Sequence, residues 1–119
     1  MSARRENTGP SAVGEEVKMR MLLQVRIPHK QFNAAVRDGT VGPKVNRILE
    51  ETKPQAVYFT EYNGQRGAIM IVDVEDPSRV PTLAEPWFLM FSADVEFHIV
   101  MTPDDLKRAG LDALGKKWS

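Results

Sequence analysis

Residues 56–74 read AVYFTEYNGQRGAIMIVDV, and this stretch decides the fold. Apolar and polar side chains alternate from Ala56 to Tyr62, which is the period of a β-strand. Asn63-Gly64 follows and is the strongest short signal for a tight hairpin turn. Residues 68–74 predict the returning strand, and because they are apolar on both faces we expect that strand to be central in the sheet.

A strand and a broken helix precede the hairpin. Residues 19–27 alternate with a period of two, and Pro28 ends this strand because proline has no N–H to donate to a neighbouring strand. Residues 29–52 carry apolar side chains at helical spacing. Asp38-Gly39 interrupts the predicted helix, and Gly42-Pro43 begins it again, with a proline suited to a first turn.

A second helix, rich in proline, follows the hairpin. Asp76-Pro77 has the pattern of an N-cap residue and a first-turn proline. The helix extends to Phe91, and Pro81 and Pro86 predict that it is split into two short kinked pieces. The segment Glu85-Pro86-Trp87-Phe88 is interpreted as a kink packed against the sheet, with a pocket wall as the alternative.

A fourth strand and a last helix complete the chain. Residues 95–101 alternate again, and Thr102 begins a helix as its N-cap, with acidic side chains near the positive helix end. This order predicts an α+β fold over residues 18–119: a ferredoxin-like βαββαβ unit with a four-stranded antiparallel sheet plus a C-terminal helix. Residues 1–17 have almost nothing apolar to bury, and they predict a disordered tail.

Composition narrows the possible classes of function. The 119 residues include 16 basic and 16 acidic side chains, so no overall charge favours nucleic acid or an anionic membrane. The absence of cysteine excludes disulfides, thiolate nucleophiles and iron–sulfur ligation. With only two histidines, a zinc site would need an unusual set of histidine and carboxylate ligands. No apolar run is long enough to span a bilayer, and no apolar segment follows Arg4 and Arg5 to form a signal peptide. We therefore expect a single-domain cytoplasmic protein without a metal or other cofactor.

The alternation along the strands predicts which residues share a face of the sheet. One set is consistently apolar and best placed under the helices: Met21, Leu23, Val25, Val57, Phe59, Val95, Phe97 and Ile99. The opposite set is mixed: Leu22, Gln24, Arg26, Tyr58, Thr60, Tyr62, Glu96, His98 and Val100. Such a mixed face is commonly buried by a partner sheet, which leaves a cavity lined by a few polar groups.

Two later stretches carry a resemblance to a known superfamily. They are Leu83-Ala84-Glu85-Pro86-Trp87-Phe88, and Val95-Glu96-Phe97-His98 continuing to Met101-Thr102-Pro103-Asp104-Asp105-Leu106. From Met19 onward the chain resembles the dimeric α/β-barrel superfamily and, within it, a small uncharacterised bacterial family. The resemblance implies a homodimer in which two ferredoxin-like units put their open sheet faces together. It does not select a chemistry, because the superfamily includes cofactor-free monooxygenases, lactone isomerases, haem enzymes and proteins without a known activity.

His98 is the best single candidate for proton transfer. It lies in the middle of a predicted strand on the mixed face, and Glu96, two residues earlier, points the same way and could raise the basicity of the imidazole. The alternative is a structural hydrogen bond across a dimer interface. The other histidine, His29, stands at the start of the first helix, where we expect it to act as a cap. One lone histidine does not make a haem pocket.

The mixed face offers further groups for binding a substrate. Tyr58 and Tyr62 could orient a phenolic or carbonyl group, and Arg26 could bind a carboxylate. Gln24 lies on the same predicted face. The alternative is dimer packing for the tyrosines and a charge at the rim of the interface for Arg26. Their convergence on one face is better evidence for a site than any single member.

Two hypotheses of function follow from these residues. In the first, a homodimeric barrel binds a small, partly apolar organic molecule and carries out cofactor-free isomerase or monooxygenase chemistry, with His98 as the base and Glu96 as its orienting group. In the second, the chain is a non-catalytic dimerisation or ligand-sensing module. No nucleotide-binding fingerprint is present, and the strands lack the aromatic signature of RNA-binding sheets.

Overall fold

The computed structural model describes residues 19–119, so the predicted tail of residues 1–17 lies outside the described part of the chain. Within this described part, four strands and five α-helices follow one another in the order βααββαβαα, with a 3₁₀ turn at Pro77–Arg79 before the third helix. Their bounds are β1 (Met19–Arg26), α1 (His29–Asp38), α2 (Val41–Thr52), β2 (Ala56–Tyr62), β3 (Gln65–Val74), α3 (Val80–Phe91), β4 (Asp94–Ile99), α4 (Pro103–Arg108) and α5 (Leu111–Lys117).

The four strands form one antiparallel sheet in the order β2-β3-β1-β4. The turn at Asn63-Gly64 pairs Tyr62 with Gln65 and so fixes the register of the β2–β3 hairpin. β3 also pairs with β1 along its length, which makes it central in the sheet as its two apolar faces predicted. This topology is that of the ferredoxin-like fold, and it confirms the predicted α+β class.

The core lies between the sheet and α1, α2 and α3. Trp87 and Phe91 of α3 are completely buried, with ring centroids 6.0 Å apart, and Phe32 of α1 stacks on Phe91 at 5.9 Å. They pack on the helix-facing side of the central strands, where Leu23 and Met70 lie opposite each other and are each 1% exposed. Helix packing therefore covers one face of the sheet and leaves the other face open.

The division into two faces follows the predicted alternation, with one correction at the edges. Phe59 and Ile99 lie on the helix-facing side because they pair with the buried residues Ala68 and Met21, yet they are 58% and 66% exposed. They belong to β2 and β4, the two edge strands, and the helices cover the middle of the sheet. The prediction that both are buried under the helices is therefore wrong.

The third helix is continuous, so the prediction of two kinked pieces is wrong. Pro81 lies in its first turn, where no backbone N–H is needed, and Pro86 lies inside it. Four buried side chains on both sides of Pro86 hold the helix on the sheet across this position: Leu83, Ala84, Trp87 and Phe91. The break falls earlier, at the 3₁₀ turn that Asp76 caps by accepting a hydrogen bond from the N–H of Ser78 at 2.8 Å.

The first helix breaks after Asp38 as predicted, with Gly39 in the left-handed region at φ 80°. The prediction of His29 as a helix cap is wrong, because Pro28 is the N-cap residue and no side chain caps this helix. His29 is instead the first residue of α1, and it is exposed.

The last helix consists of two pieces and not one. Thr102 caps α4 as predicted, through a reciprocal box in which its hydroxyl accepts from the Asp105 N–H at 3.0 Å and its N–H donates to the Asp105 carboxylate at 2.9 Å. Gly110, at φ 73°, then breaks the helix because it takes a left-handed conformation that L side chains rarely adopt. We call residues 103–119 the C-terminal arm. None of its residues is buried.

Between residues 19 and 119, no helix is both long and apolar enough to cross a bilayer.

Candidate functional site

The candidate site lies on the open face of the sheet, which is the face that no helix of the described chain covers. Strand pairing sets its geometry. Gln24 on β1 lies between Ile69 on β3 and Glu96 on β4, and Tyr58 lies on the far side of Ile69 on β2. These four residues therefore form one line across the whole sheet, with neighbouring strands about 4.8 Å apart.

Four polar side chains are linked on this face, and we call Tyr62, Arg26, Glu96 and His98 the polar row. Glu96 is the central member. One of its carboxylate oxygens accepts a hydrogen bond from Nη2 of Arg26 at 3.0 Å, and the other lies 3.2 Å from Nε2 of His98. The guanidinium of Arg26 also lies 6.0 Å from the ring centroid of Tyr62, within the range of a cation–π contact. The row thus links β2, β1 and β4.

Gly67 is the reason why Arg26 and Tyr62 can meet across an intervening strand. It pairs with Arg26 on one side and with Thr60 on the other. A Cβ atom at this position would lie 2.6 Å from the carbonyl oxygen of Val25 and 3.2 Å from the ring of Tyr62. The ring of Tyr62 therefore occupies the space above β3 that any side chain at position 67 would fill.

An apolar strip adjoins the polar row on the same face. It consists of Leu22, Ile69 and Ile71, which are half-buried by neighbouring side chains alone. Leu22 pairs with both Ile71 and His98, so the strip begins directly beside the histidine. Tyr58 lies at the outer end of the strip and is 70% exposed. The face thus combines an apolar floor with one edge of charged groups.

The structure brings Arg26, Tyr62, Glu96 and His98 into contact as the polar row, and it puts Gln24 beside Glu96 on the same face. Tyr58 is separated from the row by Ile69 and Gln24, so it would meet a ligand from the opposite edge of the sheet.

Sequence reasoning missed the contribution of β3 to this face. Gly67, Ile69 and Ile71 were not assigned to a face, because a strand that is apolar on both sides has no alternation to read. The two-residue turn carried the missing signal. A hairpin with Asn63-Gly64 at its tip pairs Tyr62 with Gln65, and counting back from that pair places Ile69 opposite Tyr58.

The polar row has the geometry of an oriented acid–base pair. The Glu96 carboxylate holds Nε2 of His98, and this leaves Nδ1 as the nitrogen that could exchange a proton with a ligand. Arg26 supplies a positive charge to the same carboxylate, so Glu96 is shared between two cationic partners whenever His98 is protonated. The side chains of Arg26, Glu96 and His98 are 39%, 45% and 52% exposed. Solvent therefore weakens these ion pairs in a single chain.

Two clefts of the described chain lie away from the polar row. One, of about 460 Å³, lies between α2 and α3 and is lined by Arg47, Ile48, Glu51, Pro81, Thr82, Glu85, Pro86, Leu89 and Met90. Another, of about 510 Å³, lies in the C-terminal arm. Glu85 and Pro86 thus line a cleft while Trp87 is buried in the core, so this segment of the continuous helix α3 is both a packed element and a cleft wall.

Within residues 19–119, no group of three or more histidine and carboxylate side chains is placed to hold a metal ion. No protein-family model matches the chain. No curated protein and no solved structure is similar enough to match it either.

Proposed function

We propose that the chain forms a homodimer through its open sheet faces, as the resemblance to dimeric α/β barrels implies, and that the enclosed space binds a small, partly apolar organic molecule. The polar row beside an apolar strip carries this proposal. Binding sites for such molecules typically combine mostly apolar walls with a few polar groups in fixed positions. Leu22 and Ile71 supply the apolar part, and Glu96 and His98 supply the polar part.

The proposed chemistry is proton transfer without a cofactor, with His98 as the base. Nδ1 of His98 would remove a proton from a C–H bond next to a carbonyl group. The proton would return to a different carbon in an isomerase. In a monooxygenase the carbanion would add O₂ and take the proton back to give a hydroperoxide, which would lose water with the second hydrogen of the same carbon and leave a carbonyl group. Glu96 would orient the imidazole and stabilise its protonated form, which is the usual part of a carboxylate beside a catalytic histidine.

The remaining predicted residues would position the ligand. Tyr58 is 70% exposed on the strip, so its hydroxyl and ring are accessible to a ligand or to a second copy. Gln24 can donate and accept hydrogen bonds beside Glu96. Arg26 is the weakest candidate for binding a substrate carboxylate, because its guanidinium already bonds Glu96 at 3.0 Å and lies near Tyr62.

A second candidate function is a non-catalytic dimerisation or ligand-sensing module. The observation that favours it is that Glu96 already bonds both Arg26 and His98 within one chain. A carboxylate shared by two partners fixes the direction of strand-edge side chains, and this would serve an interface as well as a reaction.

The experiment that tests the proposal measures how fast the hydrogen of an acidic C–H bond in a ligand is replaced by deuterium. After light scattering has established the oligomeric state, a panel of small lactones and aromatic ketones is incubated with the protein in D₂O. Loss of each C–H signal is followed by proton NMR. We expect at least one ligand to exchange, and His98→Ala to slow the exchange by about 10²-fold or more, the usual contribution of a general base.

His29→Ala is the matched control, because His29 is the only other histidine and lies at the exposed start of α1. Exchange that His98→Ala leaves unchanged would exclude His98 as the base. A dimer that binds panel members without any exchange would favour the non-catalytic module, and a monomer would remove the enclosed space on which both candidates depend.

A further inference from the structure

Tyr58 lies far from the acid–base pair that Glu96 and His98 form in its own chain. The strand pairs place four residues in one line across the sheet, in the order Tyr58, Ile69, Gln24 and Glu96. Three strand spacings of about 4.8 Å separate the first from the last, which is roughly 14 Å between their Cα atoms. Side chains in a strand stand nearly perpendicular to the sheet, so these two do not lean toward each other. A small ligand held beside Glu96 is therefore out of reach of the Tyr58 of the same chain.

The two edges of the open face differ in chemistry. On β2 none of the residues of this face is charged, and they are Ala56, Tyr58, Thr60 and Tyr62. On β4 the same face carries the carboxylates of Asp94 and Glu96 together with the ring of His98. The apolar strip lies between them on the two central strands. The open face thus has one tyrosine edge, one mainly acidic edge and an apolar middle.

This asymmetry decides how two open faces can stack. Sheets that pack face to face keep their strands nearly aligned, so a two-fold axis between them runs either across the strands or along them. An axis across the strands would place β4 over β4, and Asp94 and Glu96 of both copies would meet with one Arg26 per copy to offset them. An axis along the strands places β4 of each copy over β2 of the other, so the acidic edge meets the uncharged tyrosine edge. Charge favours the second arrangement.

In that arrangement Tyr58 of one copy lies over the acid–base pair of the other. Burial of the two apolar strips on each other puts the axis between β1 and β3, the central strands. Rotation about an axis along the strands keeps each residue at its level in the strand direction, and Tyr58 and Glu96 share one level. The sheets would be about 10 Å apart, a gap that side chains from both copies fill. Tyr58, which is 70% exposed, extends into this gap, and Glu96 lies 3.2 Å from Nε2 of His98 on the other side of it.

We propose that each site of the dimer is composite, with His98 and Glu96 from one copy and Tyr58 from the other. This inference rests on the proposed function and names the substrate class, a compound with a carbonyl group next to an acidic C–H bond. The hydroxyl of Tyr58 donates a hydrogen bond to the carbonyl oxygen while Nδ1 of His98 removes the proton from carbon. Negative charge then develops on that oxygen, where a donor in a fixed position stabilises it. The phenol keeps its own proton, so one proton moves, from carbon to the imidazole.

The first test follows the ring of His98 by NMR in dimers of mixed composition. Chain labelled with ¹⁵N in its histidine rings is refolded from urea with an excess of unlabelled Tyr58→Phe chain or, as a reference, of unlabelled unsubstituted chain. The His98 signals should shift in the first mixture relative to the second, because only the first removes the hydroxyl that the other copy supplies. His29 is the internal control, since it is exposed at the start of α1 and its signals should not change.

The reciprocal mixture tests whether the tyrosine acts within its own chain. Labelled Tyr58→Phe chain with an excess of unlabelled unsubstituted chain should show the His98 signals of the unsubstituted dimer. A shift that appears only when the labelled chain itself carries the substitution would overturn the composite site, and so would signals that move in neither mixture. A monomer by sedimentation removes both the composite site and the proposed function. A shift in the predicted mixture without any deuterium exchange of ligands supports the composite site and rejects the proton transfer.

If a ligand does exchange, a second test uses two defective variants. Tyr58→Phe should slow the exchange by about 10²-fold, the usual effect of removing one donor to the developing oxyanion. Mixed with His98→Ala, it should recover about a quarter of the unsubstituted rate, because half of the dimers are mixed and each of these has one intact site of two. Two variants that recover no activity on mixing, although they form mixed dimers, would show that both groups must lie in the same chain.

Discussion

The two faces of the sheet are built from the same strands and have opposite properties. Leu22 and Leu23 are neighbours in β1, yet Leu23 is 1% exposed under the helices and Leu22 is half-buried on the open face. The helix-facing side gains its burial from α1–α3, whereas the open side has only its own side chains to cover it. The buried core therefore lies on one face, and the open face adds only half-buried apolar side chains in a single chain.

The largest expected effect compares these two leucines directly. Leu23→Ala should lower the free energy of unfolding by about 2–5 kcal/mol, because it removes buried methyl groups and leaves a cavity. Leu22→Ala should lower it by less than about 1 kcal/mol in dilute protein, since its side chain is only half-buried. Urea unfolding monitored by tryptophan fluorescence measures both values.

The same pair also tests the dimer. If open faces stack, the effect of Leu22→Ala should grow with protein concentration while that of Leu23→Ala should not, because only Leu22 would then be buried by a partner. Equal effects of the two substitutions at low concentration would contradict the distinction between the faces.

The second prediction concerns Gly67, the glycine of the open face that lets Arg26 and Tyr62 meet across β3. Gly67→Ala should destabilise the protein by roughly 1–3 kcal/mol, because the new Cβ would lie 2.6 Å from the backbone oxygen of Val25, which cannot move without disturbing β1. Gly115→Ala is its control. It lies inside α5 with nothing within 4 Å of the added atom, and it should stabilise the arm by about 0.5–1 kcal/mol. Thermal unfolding of the two variants gives shifts of opposite sign.

The third prediction concerns the polar row. Glu96→Gln should change the free energy of unfolding by less than about 1 kcal/mol, because exposed ion pairs contribute little to stability. A double-mutant cycle of Arg26→Met with Glu96→Gln, by urea unfolding, measures their coupling. A coupling free energy well above about 1 kcal/mol would mean that the polar row mainly stabilises the folded chain, and it would argue against a role in binding a partner or ligand.

The smallest expected effect is a loss of stability at low pH, and it comes from the capping carboxylates of two helical segments. The backbone N–H and the hydroxyl of Thr102 hold the pKa of the Asp105 carboxyl below its usual value, and the hydroxyl and N–H of Ser78 do the same for the pKa of Asp76. A carboxyl with a lowered pKa in the folded state stabilises it above the unfolded pKa of about 3.9, and this contribution is lost as the pH falls through the folded value.

The melting temperature should therefore fall as the pH is lowered below about 4, and Asp105→Asn should make that fall shallower. Asp112→Asn is the control, since α5 has no side-chain cap. Melting curves between neutral and strongly acidic pH make the comparison. If the melting temperature falls equally steeply with pH in both variants, protonation of Asp105 does not contribute to the loss of stability in acid.

Local signals predicted most of the fold. The turn at Asn63-Gly64, the alternation in β1 and the cap at Thr102 each act over a few residues, and each is found where it was predicted. The errors came from contacts between distant residues. Pro86 does not split its helix because buried neighbours on both sides hold it on the sheet, and Phe59 is exposed because the helices do not extend over the edge strand.

The candidate site was predicted in part for the same reason. Glu96 and His98 are two residues apart on one strand, so their common direction follows from the strand period. The bond from Arg26 to Glu96 depends on the register between β1 and β4, which no local pattern fixes. The break at Gly110 was missed because a glycine between two helical stretches is also compatible with one continuous helix.

The order of the strands also has a consequence for how the chain folds. β2 and β3 meet through a two-residue turn, whereas β1 must find β3 after α1, α2 and β2 have intervened. Closing that long loop lowers the chain entropy before any stabilising contact between β1 and β3 forms. Docking of β1 on an already formed hairpin should therefore limit the folding rate. In stopped-flow refolding, substitutions in β1 that face the helices should then slow folding more than equivalent ones in α2.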